Sequence, residues 1–465
     1  MEALQSIIGS ANSILWGPPM LILLVGTHLY LTIRLRFIQR YIFKGIKLTF
    51  AKDKEAKGDV SQLSALTLSL ASTLGTGNMI GVATAIALGG PGAVLWVWII
   101  GLLGIATKFS EGLLAIKYRV QTSDGTMLGG PMYTIERGLK KKWMAAAFAI
   151  FAIVASFGIG NMVQANSITQ SVQNVFHIPP LATGIFLSAI TLLVVVGGIK
   201  SIARVAVSVV PASAIIFFIG CVIILFINYQ YIGAAVALIV KSAFSSQAMG
   251  GGVVGFAVAS AIRYGVARGL FSNEAGLGSS PIAAAAATTR NPVRQALVSM
   301  TQVFWDTIIL NATIGILYVS SIIRYPERFI NEAGDGLISG AALAGAVFEA
   351  IPVVGPYILA ISIFLFAWTT ILGWEYVGER CLEYLGGKKV LKPYRVVYGL
   401  VVLAGALLAL ELVWDIADAF NALMAVPNLI SLLLLSGVIV AVTKEYLWSG
   451  NLDKIDETPI DKIDK

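Results

Sequence analysis

The stretch STLGTGN at positions 72–78 interrupts a long apolar segment, 60–88, at about its middle. A second apolar segment, 252–287, is interrupted in the same way by FSNEAGLG at positions 271–278. In hydrocarbon every backbone amide and carbonyl needs a partner, so unwound backbone persists only where it lines a cavity or binds something. Two such breaks, at matching places in two halves of a chain, are typical of the substrate site of a secondary transporter built from inverted repeats.

The composition indicates a polytopic membrane protein. The chain is 57% hydrophobic and 12% charged, whereas a soluble domain carries about a quarter charged residues. An apolar stretch of about 20 residues is long enough to span a bilayer. We predict eleven spans, at 14–35, 59–88, 91–116, 143–171, 181–198, 202–227, 252–288, 296–322, 354–382, 393–411 and 416–443.

The charge distribution predicts the orientation. The net charge is +8, but the basic residues are concentrated in segments that share one side of the membrane if the N-terminus is outside. This is the bias of cytoplasmic loops toward Lys and Arg. We therefore expect a multi-pass protein of the cell (plasma) membrane with a cytoplasmic C-terminus, partnered by the lipid bilayer and not by nucleic acid.

The order of the spans predicts the domain organisation. Residues 1–58 form a first transmembrane helix and a basic cytoplasmic linker, and the other ten spans divide into repeats 59–228 and 229–445. An odd number of spans in each repeat forces the two repeats into opposite orientations. The predicted fold is all-α, a five-plus-five inverted repeat with two broken helices and one extra N-terminal helix. Residues 446–465, polar and charged, are expected to be a disordered cytoplasmic tail.

The two breaks suit a zwitterion. The first half of a broken helix ends in free carbonyls, which favour Na⁺ or an ammonium group, and the second half begins with free amides, which favour a carboxylate. We expect Thr76, Gly77 and Asn78 to face the carboxylate of an amino acid, and carbonyls at 269–271 to face its ammonium group. Gln164 of the fourth span is a further candidate for the cavity. The alternative is that each break is only a glycine-permitted kink.

Ionisable residues inside spans are functional candidates by default. Glu274, Arg263 and Arg268 lie on one broken helix, and we expect them to pair with one another, with a role in gating as the alternative. Lys108 and Glu111 are three residues apart on one helical face, and we expect an ion pair between them.

Three further carboxylic acids in the spans, Asp306, Glu375 and Glu379, have no partner that the sequence reveals. A proton-coupled mechanism would need one of them at the centre of the membrane, so that mechanism stays open. The adjacent hydroxyls of Thr369 and Thr370 offer the oxygen ligands that a hard cation prefers. Hydroxyls in spans also bond to carbonyls of their own helix, which is the alternative for this pair.

At these residues the chain resembles the alanine or glycine:cation symporter family, the sodium:alanine symporters. GGPGAVLWVWIIG at 89–101 is similar to the family signature, with Leu95 and Val97 in place of its Phe and Met. GTGN at 75–78, GNMVQAN at 160–166 and RGLFSNEAG at 268–276 are also similar to the family's motifs. The resemblance covers about residues 12–443.

The resemblance implies a leucine-transporter-like fold and Na⁺-driven uptake of small neutral amino acids, alanine and glycine. It implies that Na⁺, the coupling ion, is bound by the carbonyls of Ala71 and Leu74 and by Thr369 and Thr370. The implied substrate contacts are Thr76, Gly77, Asn78, Gln164, Phe271, Ser272, Trp368 and Ile371. A cavity walled by Phe271, Trp368 and Ile371 would leave room for little more than a methyl group.

Other function classes fit less well. A channel needs a continuous pore, and a membrane enzyme needs a polar catalytic cluster, which we do not find in the sequence. Cys221 and Cys381 fall near opposite helix ends, and two histidines are too few for a haem or di-metal site without other ligands. Within the transporter class, the alternative is a proton-coupled amino-acid carrier.

Overall fold

The structure is a computed structural model, and most of the residues it describes are helical. The described residues are 8, 12, 14–51, 56–244, 254–332, 334, 336–338, 340–408 and 411–463. Positions 252–253 of one predicted span and 409–410 of another lie outside them.

Among the described residues, the regular elements are mainly helices, together with three short strands. The helices are α1 Pro18–Arg34, α2 Ile42–Thr49, α3 Gln62–Thr73, α4 Thr76–Gly89, α5 Ala93–Lys117, α6 Lys142–Phe176, α7 Pro180–Val195, α8 Gly198–Ile227, α9 Tyr229–Phe244, α10 Val254–Asn273, α11 Ser280–Ala284, α12 Pro292–Arg324, α13 Gly340–Phe348, α14 Val354–Gly386, α15 Leu391–Leu407, α16 Glu411–Leu434 and α17 Ser436–Thr443. The strands are β1 Val120–Thr122, β2 Met127–Leu128 and β3 Lys462–Ile463. Wide π turns lie within α6 at Gly158–Met162 and within α12 at Phe304–Asn311.

Many of these helices are long and apolar enough to cross a membrane. Among the described residues, seven pass this test singly, or up to nine spans result if two bent helix pairs each count as one. One pair is α1 and α2, bent by 66°, and the other is α3 and α4, bent by 44°. The protein is therefore a multi-pass membrane protein, and α2 gives helical structure to part of the segment predicted as a linker.

Both predicted breaks are present. α3 ends at Thr73 and α4 begins at Thr76, whereas α10 ends at Asn273 and α11 begins at Ser280. α10 packs against both α4 and α5, and α3 packs against α8 and α14. Small residues permit the close approach, since a Cβ atom on Gly265 of α10 would lie 2.4 Å from the Ala93 carbonyl oxygen of α5. This packing brings the two breaks to the middle of the molecule.

The C-terminal tail does not have the disorder that we predicted for it. β3 pairs with β1 in parallel, and β2 pairs with β1 in antiparallel fashion. The side-chain nitrogen of Asn291, Nδ2, donates to the carbonyls of Leu452 and Lys454 at 2.8 Å each. Backbone carbonyls near helix ends and hairpins are satisfied in this way by side chains from neighbouring loops. We call the side of the molecule that carries β1–β3 the tail face.

The tail face also holds buried charge. Arg119 donates to the carbonyls of Ala285, Ala287 and Lys57 at 2.9–3.2 Å. Burial lowers the pKa of Arg119 to about 10, so the guanidinium remains charged at neutral pH. Burial also raises the pKa of Asp59, which accepts a hydrogen bond from the Met127 amide. These contacts connect the segment before α3 to the segment that follows α11.

Candidate functional site

The first break is short and leaves carbonyls on one side and amides on the other. Leu74 and Gly75 have extended backbone between α3 and α4. The Asn78 side-chain oxygen accepts from the Gly75 amide at 3.2 Å and so caps the start of α4. A Cβ atom on Gly75 would lie 2.7 Å from Thr370 Oγ1, and one on Gly77 would lie 2.9 Å from the Phe271 ring. Glycine is needed at both positions because α10 and α14 approach so closely.

The second break is longer and uses left-handed backbone. Glu274 has φ +54°, and Gly276 and Gly278 have φ +91° and +88°. Such φ values are strained for most residues but open to glycine. The Asn273 side chain accepts from the Ala275 amide at 2.9 Å, which satisfies one of the amides freed by the turn.

A buried charged group holds this second break in place. Lys108 Nζ donates to the Glu274 carbonyl at 3.0 Å and to Ser280 Oγ at 2.8 Å, and it lies 3.7 Å from the Glu111 carboxylate. Glu111 in turn accepts from the Gly276 amide at 3.1 Å. The predicted Lys108–Glu111 pair is confirmed, and it supports the unwound backbone of the neighbouring broken helix.

The predicted pairing of Glu274 with Arg263 and Arg268 is wrong. The Glu274 carboxylate accepts a hydrogen bond from Ser279. The two guanidinium groups lie over the rings of Tyr264 and Phe271. They point elsewhere because the chain turns sharply at Glu274, which removes its side chain from the face of α10.

We expect Lys108→Met to lower thermal stability strongly, because it leaves the Glu111 carboxylate buried without a cation. Breaking a buried pair in this way typically costs about 3–5 kcal/mol. The double variant Lys108→Met/Glu111→Gln should recover part of the loss. Thermal unfolding of the purified protein measures both, with Lys241→Met on the exposed side of α9 as the matched control. Equal unfolding temperatures for Lys108→Met and Lys241→Met would contradict the assignment.

The two breaks meet through Asn78 and a buried carboxylate. Asn78 Nδ2 donates to Asp306 Oδ1 at 2.6 Å, to Ser272 Oγ at 2.8 Å and to Asn311 Oδ1 at 3.0 Å. Asp306 also accepts from Ser272 at 2.9 Å and from Thr307 at 2.7 Å. Asn78 and Ser272, both expected to contact substrate, thus lie together, but their side chains bind Asp306 and do not line the cavity between the breaks.

That central cavity is small. Its volume is about 10 Å³, which is room for roughly one water molecule. An amino acid therefore needs the lining residues to move apart. These residues are Ser72, Thr73, Gly75, Gly77, Ile159, Gln164, Phe271, Glu274, Thr370, Trp374 and Asn421.

A larger cavity of about 230 Å³ lies on the side away from the tail face. Its lining residues are Thr76, Gly77, Ile80, Gly81, Thr84, Arg268, Phe271 and Trp414. Beyond it, and sharing Ile80, a cavity of about 840 Å³ lies between α4, α6, α13 and α14. Phe271 and Gly77 border both the central cavity and the next one, and the Phe271 ring stacks on Trp414 with centroids 6.4 Å apart. Phe271 therefore separates the centre from the wider cavities.

The predicted cation ligands come together only in part. Thr370 Oγ1 donates to the Leu74 carbonyl at 3.1 Å and to its own helix at Phe366. Thr369 Oγ1 donates to the same Phe366 carbonyl at 2.9 Å. The helix-bonded arrangement that we kept as the alternative is therefore present for both hydroxyls. The hydrogen bond of Thr370 to Leu74 also joins α14 to the first break. Ala71 is buried about one helical turn before Leu74.

Gln164 lines the central cavity, whereas Trp368 and Ile371 do not. Its side-chain oxygen accepts from the Thr76 amide and hydroxyl at 3.4 and 3.2 Å. Trp368 instead donates to Thr191 of α7 at 3.3 Å, and Ile371 is buried in a separate apolar cluster. At about 100° per residue, Trp368 lies roughly 160° and Ile371 roughly 100° around α14 from Thr370, and neither lines the central cavity. The expectation that both wall the cavity is not met.

Some lining residues were not predicted. Ile159 gives no signal, because it is one apolar residue among many in α6. Asn421 could have been found from the sequence, because it and Asn428 lie seven residues apart on one face of an apolar helix. The side-chain oxygen of Asn421 has no hydrogen-bond partner among the described residues. Trp374, another lining residue that was not predicted, donates to the Ser72 carbonyl at 3.1 Å.

Known proteins resemble this chain over nearly its whole length. Residues 1–459 match the model of the sodium:alanine symporter family. The chain is 48% identical to an uncharacterized transporter of Haemophilus influenzae, over 99% of this chain and 100% of the relative. It is 47% identical to the sodium/alanine symporter AgcS of Methanococcus maripaludis, over 95% of this chain and 97% of the relative.

A solved structure shows the same kind of fold. The crystal structure of MhsT in complex with L-phenylalanine superposes with a TM-score of 0.58 at 15% identity, over 86% of this chain and 94% of that chain. The relatives are transporters and not enzymes, and the resemblance drawn from the motifs is confirmed. The chain belongs to the sodium:alanine symporter family.

Proposed function

We propose that this protein carries alanine and glycine into the cell together with Na⁺, by alternating access. The observation that supports this most is the meeting of the two breaks. The carbonyl end of α3 and the amide end of α4 flank a cavity that also touches the second broken helix. Opposite partial charges within one turn suit the two ends of a zwitterion. The relative AgcS, named a sodium/alanine symporter, supports the same substrate and ion.

The substrate would lie between Gln164, Phe271 and the amides at 76–78. The carboxylate would face these amides, while the ammonium group would face the carbonyls before Phe271 and the side-chain oxygen of Asn421, which has no partner in the described part of the chain. Asn78 and Ser272 would act indirectly, since their hydrogen bonds to Asp306 hold the two breaks together. Trp368 and Ile371 would pack α14 against neighbouring helices away from the cavity.

Na⁺ would bind next to the first break, between α3 and α14. The Leu74 carbonyl and the Thr370 hydroxyl already lie in contact, and the Ala71 carbonyl and Thr369 would complete an oxygen-only set. Such a set suits a hard cation. Binding would require the Thr370 hydroxyl to stop donating to the Leu74 carbonyl. Both hydroxyls could still donate to Phe366, because their oxygen lone pairs remain free for the ion.

The transport path would run from the wide cavities, past Phe271, to the tail face. We propose that the tail face is cytoplasmic and the N-terminus is outside, with eleven spans that form a five-plus-five inverted repeat after the first helix. β1–β3 and the contacts of Asn291 cover the tail face. A cavity of about 400 Å³ on that face shares no lining residue with the central cavity, whereas cavities narrow stepwise toward the centre from the other side. That arrangement corresponds to access from outside.

Reconstituted protein tests this function. An inward Na⁺ gradient should accumulate labelled alanine above its external concentration, and a proton gradient without Na⁺ should not. Equal accumulation in choline and Na⁺ would contradict Na⁺ coupling. Equilibration without accumulation in every condition would indicate a channel-like or facilitated pathway.

The lining residues also predict size selectivity. Ile159→Ala should enlarge the central cavity and improve competition by valine and leucine relative to alanine. Each methylene is typically worth about 1–3 kcal/mol, or roughly 10–200-fold. Competition against labelled alanine measures this, with Ile371→Ala as the matched control because Ile371 lies in the other apolar cluster. A change of selectivity in Ile371→Ala but not in Ile159→Ala would reverse the assignment.

A further inference from the structure

Glu375 is a fully buried carboxylic acid that the proposed Na⁺ and alanine sites do not use. It lies on α14, between Thr370 and the tail face, and has 0% exposure. Neither of its carboxyl oxygens has a hydrogen-bond partner among the described residues. An isolated carboxylate without a partner is one of the most unfavourable groups to bury, and protonation removes the charge.

The charged neighbours of Glu375 are already paired with one another. Arg395 makes two hydrogen bonds to Glu379, one of them at 3.0 Å. Arg380 binds both Glu379 and Glu383. Two guanidinium groups are therefore shared by two carboxylates. Among the described residues neither guanidinium forms a hydrogen bond to Glu375, although Nε of Arg380 has no partner.

The other groups around it are neutral or already bonded. Tyr394 and Tyr398 of α15 are the tyrosines that face it. The Tyr398 hydroxyl donates to the carbonyls of Ile371 and Ser156 at 3.0 and 3.3 Å, and the Tyr394 hydroxyl contacts Ser156 Oγ at 3.3 Å. α3 carries no ionisable side chain, and the facing turn of α6 supplies the neutral Ser156. Glu379, the acidic neighbour of Glu375 one turn further along α14, accepts hydrogen bonds from Arg380 and Arg395 and offers no proton to Glu375.

We propose that Glu375 is a proton-binding site that is occupied while the tail face is closed and is emptied when it opens. In the closed state the proton makes Glu375 a donor toward Glu379, which resolves the contact of two acceptors. Opening of the tail face admits water along Glu379 and Arg395, whose side chain is 19% exposed. Hydrated Glu375 then releases its proton to the cytoplasmic side and rebinds one on closure. Opening is thus linked to internal pH.

The linkage has a definite sign. Because opening releases one proton, lower internal pH favours the closed state, and higher internal pH favours opening. One proton shifts the equilibrium by up to about tenfold per pH unit. Glu375→Gln, a neutral mimic of the acid, should remove this dependence. The inference rests on the proposed transport function, which supplies the opening step.

The test measures initial alanine uptake by reconstituted protein at one fixed external pH while internal pH is varied. Wild type should slow as internal pH falls, and Glu375→Gln should have a flat profile. Glu327→Gln, in the exposed turn Pro326–Arg328, should follow wild type. The same profile in wild type and Glu375→Gln, or a flat wild-type profile, would overturn the proposal. Absence of any Na⁺-driven uptake in wild type would instead overturn the proposed function.

A spectroscopic measurement does not depend on uptake. The infrared difference between wild type and Glu375→Gln, both in Na⁺ without alanine, should contain the C=O band of a protonated carboxylic acid. A carboxylate band in its place would overturn the proposal. If Glu375→Gln does not fold, the internal-pH profile of wild type still decides, since a flat profile contradicts the linkage.

Discussion

Valine at position 77 is expected to abolish alanine binding. A Cβ atom there lies 2.9 Å from Phe271 Cδ1, and the two branches of valine add further overlap at the start of α4. Overpacking costs about 1–3 kcal/mol, which alone is roughly 5–150-fold in Kd. The displaced backbone also loses the amides that would face the carboxylate, so the total loss should exceed that range. Equilibrium binding of labelled alanine to purified protein measures the effect.

The matched control is Gly26→Val on α1, where an added Cβ meets nothing within 4 Å. This variant should bind alanine as wild type does. Gel filtration of both variants shows whether they fold. A normal alanine Kd in folded Gly77→Val would show that the first break is only a structural kink.

Thr370→Val is expected to weaken the apparent affinity of the transporter for Na⁺. Valine keeps the approximate volume of threonine but removes the hydroxyl that contacts the Leu74 carbonyl at 3.1 Å. Hydrogen bonds to charged groups are worth about 1.5–3 kcal/mol, and loss of an oxygen ligand should be of similar size, or roughly 10–150-fold in apparent Na⁺ affinity. Thr369→Val should also lower the apparent Na⁺ affinity. The Na⁺ dependence of uptake at saturating alanine gives both values.

Thr183→Val is the matched control for these variants, because the Thr183 hydroxyl is buried in α7 and has no hydrogen-bond partner among the described residues. Its Na⁺ dependence should equal that of wild type. Unchanged Na⁺ dependence in both Thr369→Val and Thr370→Val would remove α14 from the cation site.

The sequence predicted the breaks because unwound backbone in a membrane has few explanations. STLGTGN and FSNEAGLG combine glycine with polar residues inside apolar stretches. In the structure the helices are interrupted at 74–75 within the first motif, and at 274–279, beginning within the second. The Lys108–Glu111 pair was also predictable, since a spacing of three on one helix leaves few other partners for two buried charges.

The faces of the fully packed helices were not predictable. α14 is buried on most of its circumference, so its apolar residues give no periodicity that distinguishes the site from the opposite face. Trp368 and Ile371 were therefore placed wrongly, and Ile159 was missed. Glu274 was assigned to the arginines of its own helix because a left-handed residue at the break cannot be read from the sequence. The tail contacts depend on loops far apart in the chain, which a charged, polar composition does not reveal.

The central claim is that alanine and Na⁺ bind together at the meeting point of the two breaks. Linkage requires that each ligand tighten the other by the same factor. The most direct test is equilibrium binding of alanine to the purified protein across a series of Na⁺ concentrations, with choline as the replacement ion. We predict that saturating Na⁺ lowers the alanine Kd at least about tenfold, a coupling of about 1.4 kcal/mol, and that Thr370→Val reduces this factor. An alanine Kd that is the same in Na⁺ and in choline would contradict the account.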